Sequence, residues 1–274
     1  MIESAISIIV FFFGAVIGSF LNVVILRHRS GRTLGGRSLC FSCGKTLRWN
    51  ELVPIGSFLT QKGKCAHCRT PISWQYPLVE ALTGIVFVLL YAHFSFLLLT
   101  TPLLFAVLFV YYAFVLCLLV VLSVYDLKHT VLPDEWTGLF GILAFVGMFF
   151  ISGYSIIVHI PSSWHLLAGV LLPAPFALVW YFSKGRWMGL GDAKLMIGMG
   201  WLLGISAGAT AILLSFWIGA AVSLILLLLA SVLKMGKITV KTAIPFGPFL
   251  VLSTMVVFFC QLDFTSIMSA LGRF

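Results

Sequence analysis

The chain has 274 residues, of which 61% are hydrophobic and 9% are charged, and its mean hydropathy is +1.13. A soluble globular protein is excluded, because its surface would need far more charged side chains than this sequence contains. The net charge is +9, but nine of the 17 basic residues lie between Arg27 and Arg69. Such a local basic segment indicates orientation beside a membrane and argues against nucleic acid as a partner.

The first predicted element is an apolar run over residues 6–26, which is followed by basic residues and not preceded by them. It is longer than the apolar core of a secretory signal peptide, so we expect a retained transmembrane helix over residues 1–26. A polar segment over residues 27–77, here called the insert, comes next. Seven further apolar windows cover residues 78–99, 103–125, 136–153, 164–182, 187–206, 207–233 and 243–262, followed by a short tail over residues 263–274. The sequence therefore predicts an all-α polytopic membrane protein with eight transmembrane helices in a lipid bilayer.

The loops between the apolar windows alternate in charge. Because Lys and Arg are retained on the cytoplasmic side, we expect the basic loops to be cytoplasmic and both termini to lie outside. Gly200, Gly204 and Gly208 lower helix propensity between the sixth and seventh windows, and we expect a turn there at residues 204–208. The loops that contain Lys or Arg are 27–77, 126–134, 183–191 and 234–242, and those that contain neither are 93–102, 153–163 and 204–208.

Four of the six cysteines form two Cys-x-x-Cys pairs in the insert, Cys40 with Cys43 and Cys65 with Cys68, separated by 21 residues. This spacing is typical of two knuckles that close one tetrahedral zinc site, and four thiolates leave no open position, so the zinc would be structural. Metal would also stabilise an insert that has too few apolar residues to fold unaided. Disulfides or free thiols are the alternatives, and a reducing cytoplasm disfavours the disulfides. His67 could also replace one thiolate.

Two of the eight acidic residues lie at predicted membrane boundaries on the cytoplasmic side. Asp126 closes the third window, and Asp192 begins the sixth behind Gly189 and Gly191. Ionisable groups at this depth are costly and mark functional sites by default, and two together can share a proton. An aspartic protease uses such a pair: one carboxylate takes a proton from the attacking water while its protonated partner hydrogen-bonds the scissile carbonyl. The two glycines would let an extended substrate backbone approach closely.

Other interpretations of the acidic residues remain open. Each aspartate of the pair could cap a helix or form an ion pair with Lys128 or Lys194. Asp134 follows Pro133 and precedes the fourth window, a position suited to an N-cap or to active-site support. A proton-coupled transporter would use the aspartates as a relay, but it predicts an internal pseudo-symmetry that the sequence does not show. A zinc-bound scaffold without chemistry would leave the Gly-flanked Asp192 unexplained.

Several motifs together resemble one known family, the type IV prepilin peptidases, over almost the whole chain. Leu132 and Leu190 are mild departures, since Ile and an aromatic residue are expected there. The motifs are Gly18-Ser19-Phe20-Leu21-Asn22-Val23-Val24-Ile25, the two Cys-x-x-Cys pairs, Trp49-Asn50-Glu51-Leu52-Val53-Pro54, Tyr76-Pro77-Leu78-Val79-Glu80-Ala81-Leu82-Thr83-Gly84, Asp126-Leu127 with Leu132-Pro133-Asp134, Gly189-Leu190-Gly191-Asp192-Ala193-Lys194, and Pro245-Phe246-Gly247-Pro248.

The resemblance implies that Asp126 and Asp192 are the catalytic pair of an aspartic endopeptidase in the bacterial inner membrane, supported by Gly189, Gly191 and Lys194. Its substrates would be prepilins or pseudopilins of type IV pili and type II secretion, whose basic leader is removed after a Gly at the cytoplasmic face. The Gly-x-Gly-Asp sequence is also similar to presenilin-like intramembrane proteases, which lack the cysteine insert. A protease of that kind, without methyltransferase activity, is the alternative.

The resemblance implies a second activity as well, methylation of the new N-terminal amine with S-adenosylmethionine. The insert of about 50 residues is too small for a cofactor-binding domain of ordinary size. The methyl-transfer region would therefore combine the insert with flanking helices up to about residue 100, which leaves residues 103–262 as the peptidase domain. Asn22, Arg27 and Glu80 are the polar residues nearest that junction.

Overall fold

The computed structural model of the protein describes residues 2–31, 33–232 and 244–263. Arg32, the predicted basic loop 234–242 and the tail beyond residue 263 lie outside the described residues. Short strands β1 (Ile151–Ser152) and β2 (Ser155–Ile156) pair antiparallel, with Ile151 opposite Ile156. The helices are α1 (Ile2–Arg27), α2 (Gly56–Thr60), α3 (Gln75–Thr100), α4 (Pro102–His129), α5 (Asp134–Phe150), α6 (Ser163–Leu171), α7 (Ala174–Ser183), α8 (Leu190–Val232) and α9 (Gly247–Cys260), with a 3₁₀ turn at Trp49–Glu51.

Five helical segments of the described chain are long and apolar enough to cross a membrane. The predicted helical multi-pass membrane fold is therefore confirmed. The number of eight crossings stays a prediction, because α5 and α9 have 17 and 14 residues and a bilayer of ordinary thickness takes roughly 20. The five segments are Glu3–Arg27, Gln75–Thr100, Pro102–His129, Ser163–Ser183 and Leu190–Ser231.

Helix α8 reverses direction at Gly204, where the backbone leaves the helical conformation with φ 80° and ψ 179°. In a straight helix Gly200 and Gly208 would be about 12 Å apart. Here a Cβ added at Gly208 would lie 3.8 Å from the Cα of Gly200. Helix α8 is therefore a hairpin of two antiparallel arms, which correspond to the sixth and seventh apolar windows. The turn expected at residues 204–208 is confirmed.

The side chain of His165 in α6 forms a hydrogen bond to the backbone at the break in α8. The carbonyl of Trp201 lies three residues before Gly204, and it accepts a hydrogen bond of 2.9 Å from Nε2 of His165. In return, the indole N–H of Trp201 donates to the carbonyl of Leu166 at 3.2 Å. These bonds satisfy polar groups that lipid cannot satisfy. The arms of α8 thus have fixed partners, and α5, α6 and α9 pack around them.

The chain divides into two compact units, Met1–Val121 and Leu122–Phe274. In the first unit, α1 packs closely against α3 because small residues face the partner helix. A Cβ added at Gly18 would lie 2.8 Å from the Cα of Glu80, and one added at Gly84 would lie 2.7 Å from the ring of Phe11. This close approach brings the polar end of α3 against α1 beside the insert. The second unit contains both aspartates of the predicted pair.

Candidate active site and metal-binding cluster

Asp126 lies in the last turn of α4 and is 4% exposed. Its Oδ2 accepts a hydrogen bond of 3.0 Å from the backbone N–H of Gly247, the first residue of α9. A buried carboxylate needs such a donor, because burial without a partner is costly. The start of α9 therefore holds one oxygen of Asp126 in a defined place.

Asp192 lies in the first turn of α8 and is partly exposed. An acidic residue in the first turn of a helix is favoured by the helix dipole and by the unpaired N–H groups there. The charge of Asp126 acts on the Asp192 carboxyl, so the two groups are close enough to interact electrostatically. The structure thus brings together the two acids that the sequence singles out, one from α4 and one from α8.

The two glycines before Asp192 have different surroundings. Gly189 precedes α8 and is exposed, and a Cβ added to it would lie 4.0 Å from Oδ2 of Asp192. Gly191 packs against the chain before α5, because its added Cβ would lie 3.0 Å from Cβ of Leu132. Gly189 therefore leaves space beside the carboxylate, as a substrate backbone would require. Gly191 lets α8 approach the start of α5.

Lys194 forms an ion pair with Asp134, with Nζ 2.7 Å from Oδ1, and does not pair with Asp192 in the structure. Asp134 is exposed and is the first residue of α5. Of the two interpretations of Asp134, the N-cap is contradicted, since Pro133 holds that position with an extended backbone and ψ of 128°. The carbonyl of Pro133 accepts from the hydroxyl of Thr137 instead. The ion pair joins α5 to α8 beside Asp192.

The sulfur atoms of Cys40, Cys43, Cys65 and Cys68 all lie within 4.8 Å of one another, and none of these residues forms a disulfide. The Sγ atoms of Cys40 and Cys68 are 3.8 Å apart. A tetrahedral site with Zn–S bonds of about 2.3 Å has edges of about 3.8 Å, so the four thiols fit one metal ion. His67 faces Glu51, with Nε2 3.6 Å from Oε1, and is not a member of the cluster.

The two knuckles have matching backbones. In each, the N–H of the first cysteine donates to the carbonyl five residues later at 2.9 Å, from Cys40 to Lys45 and from Cys65 to Thr70. The residue before that carbonyl adopts a positive φ, 71° at Gly44 and 61° at Arg69. Glycine is favoured at a positive φ because it lacks a Cβ, whereas Arg69 adopts the same conformation in spite of its side chain. Each tight turn aims two thiols at the same point.

Three thiols of the cluster have shifted pKa values. The backbone N–H of Lys45 lowers the pKa of Cys43, but burial and the neighbouring thiols of Cys40 and Cys68 outweigh it and raise this pKa to about 11. The backbone N–H groups of Cys43 and Ser42 lower the pKa of the Cys40 thiol. The hydroxyl and backbone N–H of Thr70 lower the pKa of Cys68 to about 6. Thiolates in close contact repel one another, and a bound divalent cation removes that repulsion.

The three residues named for methyl transfer hold the first unit together. Glu80 is 7% exposed, and its Oε2 accepts from the N–H of Ile55 at 2.7 Å. Asn22 is 1% exposed and donates to the carbonyl of Tyr76 at 3.2 Å. Arg27 donates to three consecutive carbonyls of residues 33–35 at 2.6 to 3.0 Å. Their polar groups therefore attach the insert to α1 and α3.

A cavity of about 250 Å³ opens in the insert, and sequence reasoning did not identify it. It combines a cationic, an anionic and two amide side chains, which no motif spacing would have revealed. Its lining residues are Arg48, Asn50, Glu51, Thr60, Gln61, Ala66 and His67.

The fold and the site define a helical multi-pass membrane protein with paired aspartates at helix ends and a separate four-cysteine insert. Residues 12–94 match the family described as Bacterial Peptidase A24 N-terminal domain, and residues 113–233 match the Type IV leader peptidase family. The chain belongs to the type IV leader peptidase family, so the resemblance to prepilin peptidases is confirmed.

Its relatives include proteins named Prepilin leader peptidase/N-methyltransferase. The protein from Bacillus subtilis (strain 168) is 32% identical, with 88% of each chain covered. The one from Xanthomonas campestris pv. campestris is 31% identical over 90% of this chain and 88% of its own. The one from Legionella pneumophila is 32% identical over 81% of this chain and 72% of its own. No solved structure matches the chain significantly.

Proposed function

We propose that the protein is a membrane aspartic endopeptidase that removes the basic leader from type IV prepilins or pseudopilins, cutting after a Gly. The observation that carries this proposal is that the carboxyl groups of Asp126 and Asp192, one buried and one partly exposed, are close enough to interact electrostatically. The names of the relatives supply the substrate class. The basic loops at residues 126–134 and 183–191 support a cytoplasmic position for the pair.

We assign the two carboxyls different roles. The N–H of Gly247 stabilises an ionised oxygen on Asp126, so Asp126 begins the reaction as the base. It takes a proton from the attacking water. Asp192 begins protonated, donates a hydrogen bond to the scissile carbonyl oxygen, and stabilises the charge that develops there. The exposed backbone at Gly189 leaves room for the substrate strand beside Asp192.

We further propose that the unit with the insert methylates the amine released by cleavage, using S-adenosylmethionine. The relatives' names support this activity. Cleavage comes first, because the amine is part of the scissile peptide until the leader leaves. Asn22, Arg27 and Glu80 act indirectly, since their contacts place the insert on α1 and α3.

We propose the cavity of the insert as the binding site of the methyl donor. Arg48 offers a cation for the carboxylate of the donor's methionine portion. Glu51, whose carboxylate also accepts from the N–H of Arg48 and faces His67, offers an anion for the ammonium. The side-chain amides of Asn50 and Gln61 offer hydrogen-bond donors and acceptors for the rest of the S-adenosylmethionine molecule. S-adenosylmethionine would supply an electrophilic methyl group to the pilin amine.

The cysteine cluster would hold a structural Zn²⁺ through Cys40, Cys43, Cys65 and Cys68. Its four soft ligands and closed geometry suit zinc and exclude a water-activating role. The metal would stabilise the insert, which has little apolar core of its own.

The test is purified protein in detergent with a prepilin, analysed by mass spectrometry. We expect a product that lacks the leader and carries one added methyl group. Leader loss without the methyl shift would leave a peptidase alone, as a presenilin-like protease predicts. An intact prepilin, with the protein folded, would refute the peptidase and leave the proton-coupled transporter as the interpretation of the aspartates.

A further inference from the structure

The start of α9 is coupled to Asp126 through one backbone group. The first N–H groups of a helix lack intrahelical partners. Pro248 has no N–H, and those of Phe249 and Leu250 donate to the carbonyl of Phe246 at 3.0 and 3.2 Å. The N–H of Gly247 donates to Oδ2 of Asp126 instead. The bond therefore satisfies a helix end and a buried carboxylate at once.

The same contact leaves no room for a side chain at position 247. A Cβ added to Gly247 would lie 2.6 Å from Oδ2 of Asp126, 3.2 Å from its Cγ and 3.5 Å from its Cβ. The first distance is shorter than non-bonded atoms tolerate, and both partners are packed: Asp126 is 4% exposed and Gly247 is buried. Any side chain at this position would displace the carboxyl or the helix end.

We infer that Gly247 is a positioning residue for the proposed peptidase reaction: it fixes one oxygen of Asp126 so that the other can exchange a proton with the attacking water. The inference rests on the proposed function of the aspartate pair. The charged group that faces Asp126 from α8 is Asp192, and α9 contributes no acidic or basic side chain over Gly247–Cys260. The hydrogen bond from Gly247 is thus the contribution of α9 to the protonation of the pair.

The test compares Gly247→Ala with Gly219→Ala in purified full-length protein, using a prepilin substrate. Gly219 is a matched control for packing, because it also lies at the contact between α8 and α9, where its added Cβ would be 3.2 Å from Phe249. We expect Gly247→Ala to lower kcat roughly 100-fold with KM unchanged, since a displacement of about 1 Å at a reacting group has effects of this size. Gly219→Ala should stay within about threefold of the unaltered protein.

The pH dependence of the residual activity distinguishes positioning from partial unfolding. A loss of folded protein lowers the whole pH–rate curve without moving it. If Asp126 loses its donor, the shape of the curve changes, because the proton transfer to and from the carboxyl then occurs without the N–H of Gly247. Gly247→Ala with normal kcat, or with a lowered curve of unchanged shape, would overturn the inference. If the unaltered protein failed to cleave, the proposed function itself would be refuted.

Discussion

Lys194 donates to Asp134 across 2.7 Å, and this pair links the first arm of α8 to the start of α5 beside Asp192. Of the two aspartates near Lys194, Asp134 is therefore the one that forms the ion pair in the structure. Because Lys194 is engaged with Asp134, Asp192 keeps no lysine partner among the described residues and interacts with Asp126 instead. A carboxyl pair of this kind can retain one proton, as acid–base catalysis requires.

Asp134→Asn should therefore have a mild effect. The ion pair is largely exposed, with side-chain exposures of 37% for Lys194 and 71% for Asp134. Exposed pairs contribute about 0 to 1 kcal/mol. We expect the melting temperature to fall by a few degrees at most and the cleavage rate by less than about fivefold. A loss as large as that of an Asp192 variant would place Asp134 in the catalytic machinery.

Asp126→Asn and Asp192→Asn should each reduce cleavage by roughly 1000-fold or more, because both steps of proton transfer need a carboxyl. Asparagine at position 126 can still accept from the N–H of Gly247, so the fold should persist. Leader removal measured by mass spectrometry, together with a thermal unfolding curve, checks both points. Retained cleavage in either variant would remove that residue from the pair.

The insert should bind about one zinc per chain, which elemental analysis measures. Replacing any of the four clustered cysteines by Ser should release the metal and make the insert sensitive to proteases, because a hydroxyl is a poor substitute for a thiolate. Cys260→Ser is the matched control, since Cys260 is exposed and lies outside the cluster. Zinc-free protein with a protease-resistant insert would contradict the structural role.

The two proposed activities should respond to different substitutions. Asp192→Asn should still methylate a pilin that is supplied already trimmed, whereas Glu80→Gln should impair methylation more than cleavage. The reason is that Glu80 holds the turn at Ile55 within the first unit, while Asp192 belongs to the second. The methyl mass shift of the trimmed pilin provides the measurement. If folded, zinc-loaded Asp192→Asn failed to methylate, the division of the chain near residue 100 would be wrong.

Arg48→Gln and Glu51→Gln should weaken binding of S-adenosylmethionine by roughly tenfold each, since each would remove one of the proposed charged contacts to the methionine portion. Equilibrium dialysis with labelled S-adenosylmethionine measures this without any turnover. Arg37→Gln removes a basic residue of the same insert that does not line the cavity. Equal loss in all three variants would indicate a general effect of charge and not a site at the cavity.

Sequence alone predicted the elements whose signal is local. The two Cys-x-x-Cys pairs and the Gly-x-Gly-Asp sequence carry their chemistry in a few neighbouring residues, and the turn at Gly204 lies where glycines cluster. The contact of Gly247 with Asp126 could not be derived in this way, because it depends on a backbone N–H, which every residue but proline has. The partner of Lys194 was equally hidden, since Asp192 is its near neighbour in the sequence, whereas the observed partner, Asp134, is 60 residues away.

The strain at Ile55 shows another limit of sequence reasoning. Its φ of 60° is unfavourable for a β-branched residue, and no propensity would place it there. The buried carboxylate of Glu80 selects this conformation by accepting the Ile55 N–H. The conformational preference of Ile55 is therefore outweighed by its hydrogen bond to Glu80, which is 25 residues away in the chain.

The hairpin form of α8 also bears on how the chain enters the bilayer. From Leu195 to Val232 the two arms and their turn contain no charged residue, so both arms can insert together without carrying a charge across the hydrocarbon. Asp192 and Lys194, at the beginning of the first arm, would then stay at the face from which the hairpin enters. Insertion of the hairpin as a unit would therefore fix the side of the membrane on which the proposed carboxyl pair lies.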